Sequence, residues 1–158
     1  MLNINKIRAD FNVLKQKDGV VPIYLDSACM SLKPNQVVEA MNDYYFNYPA
    51  CAGRSSHKLG DKVTKKVKEA RQIIAKFINA KEEEIIFTRN TTEAINLLAN
   101  SLGLQKGDIV LITDKEHNSN LVPWLRLRDT IGIVVKIIPA NEDNTFDLEN
   151  FSKLVPST

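Results

Sequence analysis

The chain has 158 residues, 44% hydrophobic and 25% charged, and its 21 basic and 19 acidic residues leave a formal net charge of +2. This is the composition of an ordinary globular domain, expected to bury about 70% of its unfolded surface, and so small a charge imbalance supplies no field to attract nucleic acid or a membrane surface. No apolar run approaches the roughly 20 residues of a bilayer span, and no continuous apolar stretch marks a signal peptide, so the sequence reads as cytoplasmic. Cys29 and Cys51 form no CxxC pair and, with only His57 and His117 beside them, make no closed metal site.

Leu2, Ile4, Ile7, Phe11 and Leu14 recur at roughly helical steps. Residues 2–17 are therefore expected to form an amphipathic helix that Asp18-Gly19 ends. Residues 20–25 are β-like, and Pro22 suits them to an edge; the turn Asp26-Ser27-Ala28 follows. Pro34 is placed to open a helix at its first position, running to about Tyr48 with Val37, Val38, Met41 and Tyr45 on one face. The small-residue loop 49–56, PACAGRSS, either approaches a ligand or merely connects. Residues 58–79 give the clearest helix: Leu59, Val63, Val67, Ala70, Ile73, Ile74, Phe77 and Ile78 fall at steps of mostly three and four, opposite a charged, solvated face.

After Ala80 strands and helices alternate. The pattern predicts a strand at 84–88, a helix at 91–102, a strand at 108–113, a helix at 119–130 and a strand at 133–138. A turn at 141–145 and a last helix capped by Asp147 complete it. Such alternation indicates an α/β fold, a mainly parallel sheet flanked by helices with right-handed crossovers. The expected organisation is a helical segment with a short strand over 1–80, then the first strand–helix units of a larger α/β domain over 81–158.

Two helix starts carry candidate chemistry. In 85–95, IIFTRNTTEAI, a strand turns sharply into a helix whose free N–H groups and positive dipole end suit an anion. Thr91 and Thr92 add hydroxyls, and Asn90 at the turn tolerates a left-handed backbone. On these residues alone, a cap by Thr91 or Thr92 with Glu93 in the first turn is the simpler reading. His117 lies just beyond the strand 108–113, at the edge where open α/β sheets bind ligands. There an imidazole can stack on a flat cofactor or carry a proton, although a loop histidine bonded to backbone is locally the simpler reading. With the two strands as neighbours, Thr91 and His117 would flank one crevice. Spacing does not separate pyridoxal phosphate from a nucleotide.

Three segments together resemble one family. Tyr24-Leu25-Asp26-Ser27-Ala28, Phe87-Thr88-Arg89-Asn90-Thr91-Thr92-Glu93-Ala94-Ile95-Asn96-Leu97 and Glu116-His117-Asn118-Ser119-Asn120-Leu121-Val122-Pro123-Trp124 are similar, in order and spacing, to the N-terminal signature, phosphate-binding turn and ring-stacking segment of class V aminotransferases. The nearest members are cysteine desulfurases and selenocysteine lyases. The resemblance implies a truncated part of the large domain of a fold-type I, pyridoxal-phosphate-dependent transferase. It implies that Thr91, with Thr92, holds the cofactor phosphate, and that His117 stacks on the pyridine ring and assists proton transfer. Ala28 would face the substrate through its backbone. Arg54 and His57 would sit in a loop at the active-site mouth near a dimer interface, with Glu93 close to that interface.

The implied reaction turns L-cysteine into L-alanine and leaves a persulfide on an enzyme cysteine, supplying sulfur for iron–sulfur clusters. The implied partners are an amino-acid substrate, a second copy or a missing C-terminal part, and a sulfur-acceptor protein. The Schiff-base lysine, the aspartate on the pyridine nitrogen, the mobile-loop cysteine and the carboxylate-gripping arginine are expected beyond residue 158, so the chain alone is expected to be inactive. Departures from the family pattern are Asn90 for a frequent Gly, Asn118 for a frequent second His, Gly53 for a His, and Cys29 and Met30 for small residues. A transaminase, epimerase or kynureninase-like hydrolase of the same group is one rival reading, and a non-catalytic split or assembly module is another.

Overall fold

The computed structural model describes residues 2–15 and 17–155. The chain divides into two units, Met1–Ile85 and Ile86–Thr158.

In the first unit helix α1 spans Ile4–Ala9, opened by Asn3, whose side chain accepts the Lys6 N–H at 3.0 Å. It ends far short of residue 17. Asp10 is tied elsewhere: its carbonyl accepts from the Asn35 N–H at 2.7 Å and its carboxylate from Gln36 at 2.8 Å. That tertiary tie overrides the helical spacing, and Asn12–Leu14 forms only a 3-10 turn. Asp18 and Gly19 then take positive φ, +50° and +79°, between Lys17 and Val20, which pair as an isolated antiparallel bridge. The strand expected over 20–25 does not form. Beyond that bridge the segment has no ladder partner among the described residues, and Ile23 and Leu25 are exposed.

Helix α2 is Asn35–Asn47, and Pro34 stands outside it as the N-cap with ψ 152°, not at the first helical position. Tyr48 closes α2, is buried, and carries the Lys62 ammonium 3.9 Å over its ring. Helix α3 is Lys58–Phe77, as its spacing predicts, yet only Gly60, Val63 and Ala75 are buried along it. Ile73 and Phe77 remain 69% and 88% exposed. The strand expected over 84–88 is also missing. The Glu84 carboxylate accepts the Lys81 N–H at 2.7 Å and closes a 3-10 turn over Glu82–Glu84. Residues 85–88 follow outside any strand.

The second unit contains α4 (Thr91–Ser101), β1 (Ile109–Thr113), α5 (Asn118–Ile131), β2 (Val134–Ile138) and α6 (Leu148–Leu154). Strands β1 and β2 pair in parallel, in register from Ile109 with Val134 to Thr113 with Ile138, and α5 connects them. This is the α/β arrangement that alternation predicts. Ala99 of α4, Leu127 of α5 and Ile133 form the core, with Leu104, Val110, Trp124 and Val135 packed around them. Gly132 ends α5 at φ 85°, where its N–H meets the Leu127 and Arg128 carbonyls, a left-handed cap that glycine adopts without a Cβ penalty. Asp147 caps α6 through the Asn150 N–H at 2.9 Å.

The chain exposes 12776 Å². An unfolded chain of this mass would expose about 26,000 Å². Burial is therefore about half of the unfolded surface, not the 70% expected of a domain this long. Among the described residues no side chain is fully buried.

Candidate functional site

Helix α4 opens under Asn90, whose backbone is extended (φ −167°, ψ 172°) and whose Oδ1 accepts the Glu93 N–H at 2.9 Å. The cap is thus neither threonine, and Asn90 is not left-handed. Thr91 and Thr92 become the first two helical residues, whose N–H groups have no acceptor within the helix. Both are exposed, and among the described residues no hydrogen bond engages their hydroxyls. The one acid of this turn is folded away. The Glu93 carboxylate accepts from the Arg89 N–H at 2.5 Å and from its guanidinium at 3.1 and 3.0 Å. The Arg89 side chain, then its backbone, holds that carboxyl below the usual range. Two N–H groups, two hydroxyls and the dipole's positive end are left for an anion.

Helix α5 opens under His117. Its Nδ1 accepts the Ser119 N–H at 3.1 Å and lies 2.8 Å from the Ser119 hydroxyl. With Nδ1 accepting, the neutral ring carries its proton on Nε2. The bonded loop histidine and the exposed imidazole are therefore one residue in two roles. The segment around it is pinned. The Asp114 N–H donates to the Ile138 carbonyl at 3.1 Å, and the Asp114 carboxylate accepts from the Ala140 N–H at 3.0 Å. Glu116 takes the Thr113 hydroxyl and the Asn120 amide, each at 2.8 Å, and Asn120 takes the Trp124 indole N–H at 3.1 Å. The Asn120 amide and then the Thr113 hydroxyl hold the Glu116 carboxyl below its usual range.

Thr91, Thr92 and His117 thus belong to one unit, each at a helix start, and α4 and α5 pack together through Ala99 and Leu127. Thr91 does not follow a strand of the sheet, since the segment before it pairs with no strand among the described residues. The other three candidates lie in the first unit. Ala28 is exposed in a turn where the Cys29 and Met30 N–H groups both reach the Asp26 carbonyl. Tyr24 adds its hydroxyl to the Asp26 and Met30 carbonyls. Arg54 is exposed. His57 caps α3, its Nδ1 3.4 Å from the Gly60 N–H.

The line Glu116, Asn120, Trp124 is not among the residues the sequence singles out, although Asn120 and Trp124 stand at the helical spacing of four that makes side chains adjacent. Both cysteines are free and exposed. Among the described residues no cluster of His, Cys, Asp and Glu could hold a metal ion, and no helix is long and apolar enough to cross a membrane.

Fold and donor set define an α/β chain with two side-chain-capped helix starts, at Asn90 and His117, in one unit. It belongs to the class-V aminotransferase family, whose profile matches residues 23–158. It is 41% identical to a cysteine desulfurase of Enterobacter sp. (strain 638), over 96% of this chain and 39% of that protein. It is 40% identical to one of Escherichia coli (strain K12), over 98% and 39%. Among solved structures it matches the apo cysteine desulfurase of Thermococcus onnurineus NA1 with TM-score 0.83 and 39% identity, over 97% of this chain and 38% of that one. An Escherichia coli cysteine desulfurase matches with TM-score 0.78 and 33% identity, over 99% and 39%. The chain therefore spans about two fifths of the length of these relatives.

Proposed function

We propose that the chain supplies the phosphate cup and the ring-stacking wall of a pyridoxal-phosphate-dependent cysteine desulfurase. The observation that carries this is the cap at Asn90, which spares the N–H groups and hydroxyls of Thr91 and Thr92 at the start of α4. Their donor chemistry fits a phosphate dianion. The cofactor, when bound, supplies an electron-withdrawing ring that stabilises negative charge developing beside the substrate's amino group. Thr91 and Thr92 bind the phosphate and fix its register. His117 lies against the ring and holds a proton at Nε2 while Ser119 occupies Nδ1. Ala28, Arg54 and His57 are assigned to the substrate side, as the motif resemblance implies. Turnover belongs to the full-length polypeptide, working as a dimer with L-cysteine and a sulfur-acceptor protein. The free thiols fit the reducing cytoplasm.

Calorimetric titration of the chain with pyridoxamine 5'-phosphate tests the reading, because this probe needs no covalent anchor. Binding is expected to compete with inorganic phosphate and to weaken about tenfold or more in Thr91→Val, which removes a charge-assisted bond. Equal binding of phosphate-free pyridoxamine would defeat it.

A further inference from the structure

We infer that Glu116 is a positioning residue for His117, acting through a side-chain ladder that spans Pro123. The inference rests on the reading of His117 as the ring-facing group.

Pro123 lies inside α5. A proline there has no N–H to offer the carbonyl four residues back, Ser119, so the first turn loses a bond that would hold it to the rest of the helix. That turn is the one His117 caps. Side chains replace the missing backbone tie. Asn120 and Trp124 lie four apart on one face of α5, and Glu116, just before the cap, reaches the same line from outside the helix. The Trp124 indole donates to Asn120 at 3.1 Å, the Asn120 amide to Glu116 at 2.8 Å, and the Thr113 hydroxyl to the other Glu116 oxygen at 2.8 Å. The ladder runs from the last residue of β1 to a residue beyond the proline. Its top rung adjoins His117, and its foot packs against the Ala99–Leu127–Ile133 core. The His117 ring is held by Ser119, in the turn that lacks the Pro123 bond, and the His117 carbonyl accepts the Asn120 N–H of the same turn at 2.8 Å. The ring's orientation therefore depends on what fixes that turn.

The ring can be followed without any ligand. In the chain labelled with ¹⁵N-histidine, with the ring neutral, His117 should show one acceptor-type Nδ1 and one protonated Nε2. In Glu116→Ala the two signals are expected to converge toward tautomer-averaged positions while those of His57 stay put. Glu116→Gln should keep the wild-type pattern, because the Thr113 hydroxyl accepts as well as donates and leaves the new amide's carbonyl oxygen for Asn120. Affinity for pyridoxamine 5'-phosphate should fall about three- to tenfold in Glu116→Ala, the range of one aromatic pair contact, with inorganic phosphate affinity unchanged. Should the alanine variant not fold, Trp124→Phe, which removes the indole N–H and keeps an aromatic ring, is expected to move the same ring signals part of the way. His117 signals identical to wild type in the folded variant overturn the inference. Equal probe binding by wild type and His117→Ala overturns instead the functional reading beneath it, and the ligand-free spectra still decide the role of Glu116.

Discussion

Gly60 sits in the first turn of α3, buried, with no positive φ to excuse it. At an ordinary helical position Gly→Ala stabilises by about 1 kcal/mol. Here an added Cβ would lie 2.3 Å from the Ser55 carbonyl oxygen and 2.5 Å from its Cβ. These atoms belong to the loop carrying Arg54, and the first is backbone, so no rotamer change relieves the overlap. The loop or the helix must shift by about 1 Å, and overpacking of that kind costs about 1–3 kcal/mol. The steric cost exceeds the propensity gain, and Gly60→Ala is expected to destabilise by about 1 kcal/mol net. With a urea slope of about 1.5 kcal/mol per molar for a chain this size, the unfolding midpoint should fall by about 0.7 M. A midpoint that rises, as at a plain helical glycine, would refute the packing of this loop on α3.

Leu127→Ala removes the large side chain at the centre of the second unit's core. It should cost about 2–4 kcal/mol, read from urea unfolding by the fluorescence of Trp124, the single tryptophan; a loss below about 0.5 kcal/mol would contradict the core assignment. Asn90→Ala should cost about 1 kcal/mol and Asn90→Gly a few tenths, the usual ranking at a helix cap; equal losses in the same unfolding assay would mean the side chain does not cap α4. Hydrogen bonds hold the Glu116 and Asp147 carboxyls below their usual range, from Asn120 in the first case and the Asn150 backbone in the second. Their contribution is thus fully present above the unfolded values of about 4 and is lost as pH falls through the lower folded ones. The urea midpoint should drop as pH falls below about 4, less steeply in Glu116→Gln; a midpoint unchanged between about pH 5 and about pH 2 would contradict it.

The helices were legible because their signals are local. The steps from Leu59 to Ile78 locate α3, and Asp147 marks the start of α6. β1 and β2 were legible because each is dense in β-branched and apolar residues, and α5 between them brings them side by side in parallel. The two other expected strands failed for a non-local reason. Residues 20–25 and 84–88 have strand-like composition, but a strand exists only where its N–H and C=O groups meet a neighbour's, and beyond the bridge at Val20 neither finds one among the described residues. Ile86 is 71% exposed and Leu25 90%. Composition predicts which residues prefer a pleated surface; it does not supply the surface. The long N-terminal helix failed in the same way, broken at Asp10 by bonds to Asn35 and Gln36, which no window around Asp10 contains.

The candidate site shows why one residue's displacement of a cap matters. Had Thr91 or Thr92 capped α4, its hydroxyl would be spent on a helix N–H and the turn would close on itself. Asn90 takes that duty with an extended backbone that needs no glycine. The departure from the family's frequent Gly is thereby accounted for: Asn adds a capping oxygen that Gly lacks, at a φ any residue adopts. Glu93, the charge most harmful to a bound anion, is neutralised in place by Arg89. Arg89 is 86% exposed at its side chain, so the pair adds little to stability. In the proposed phosphate site its use is to offset the Glu93 charge beside the two residues that the cap has left with open donors. A related arrangement recurs at α5, where His117 spends Nδ1 on the cap and leaves Nε2 without a hydrogen bond among the described residues. At both starts one side-chain atom caps the helix; at α4 the Thr91 and Thr92 hydroxyls stay without a hydrogen bond among the described residues, whereas at α5 the Ser119 hydroxyl is taken by His117.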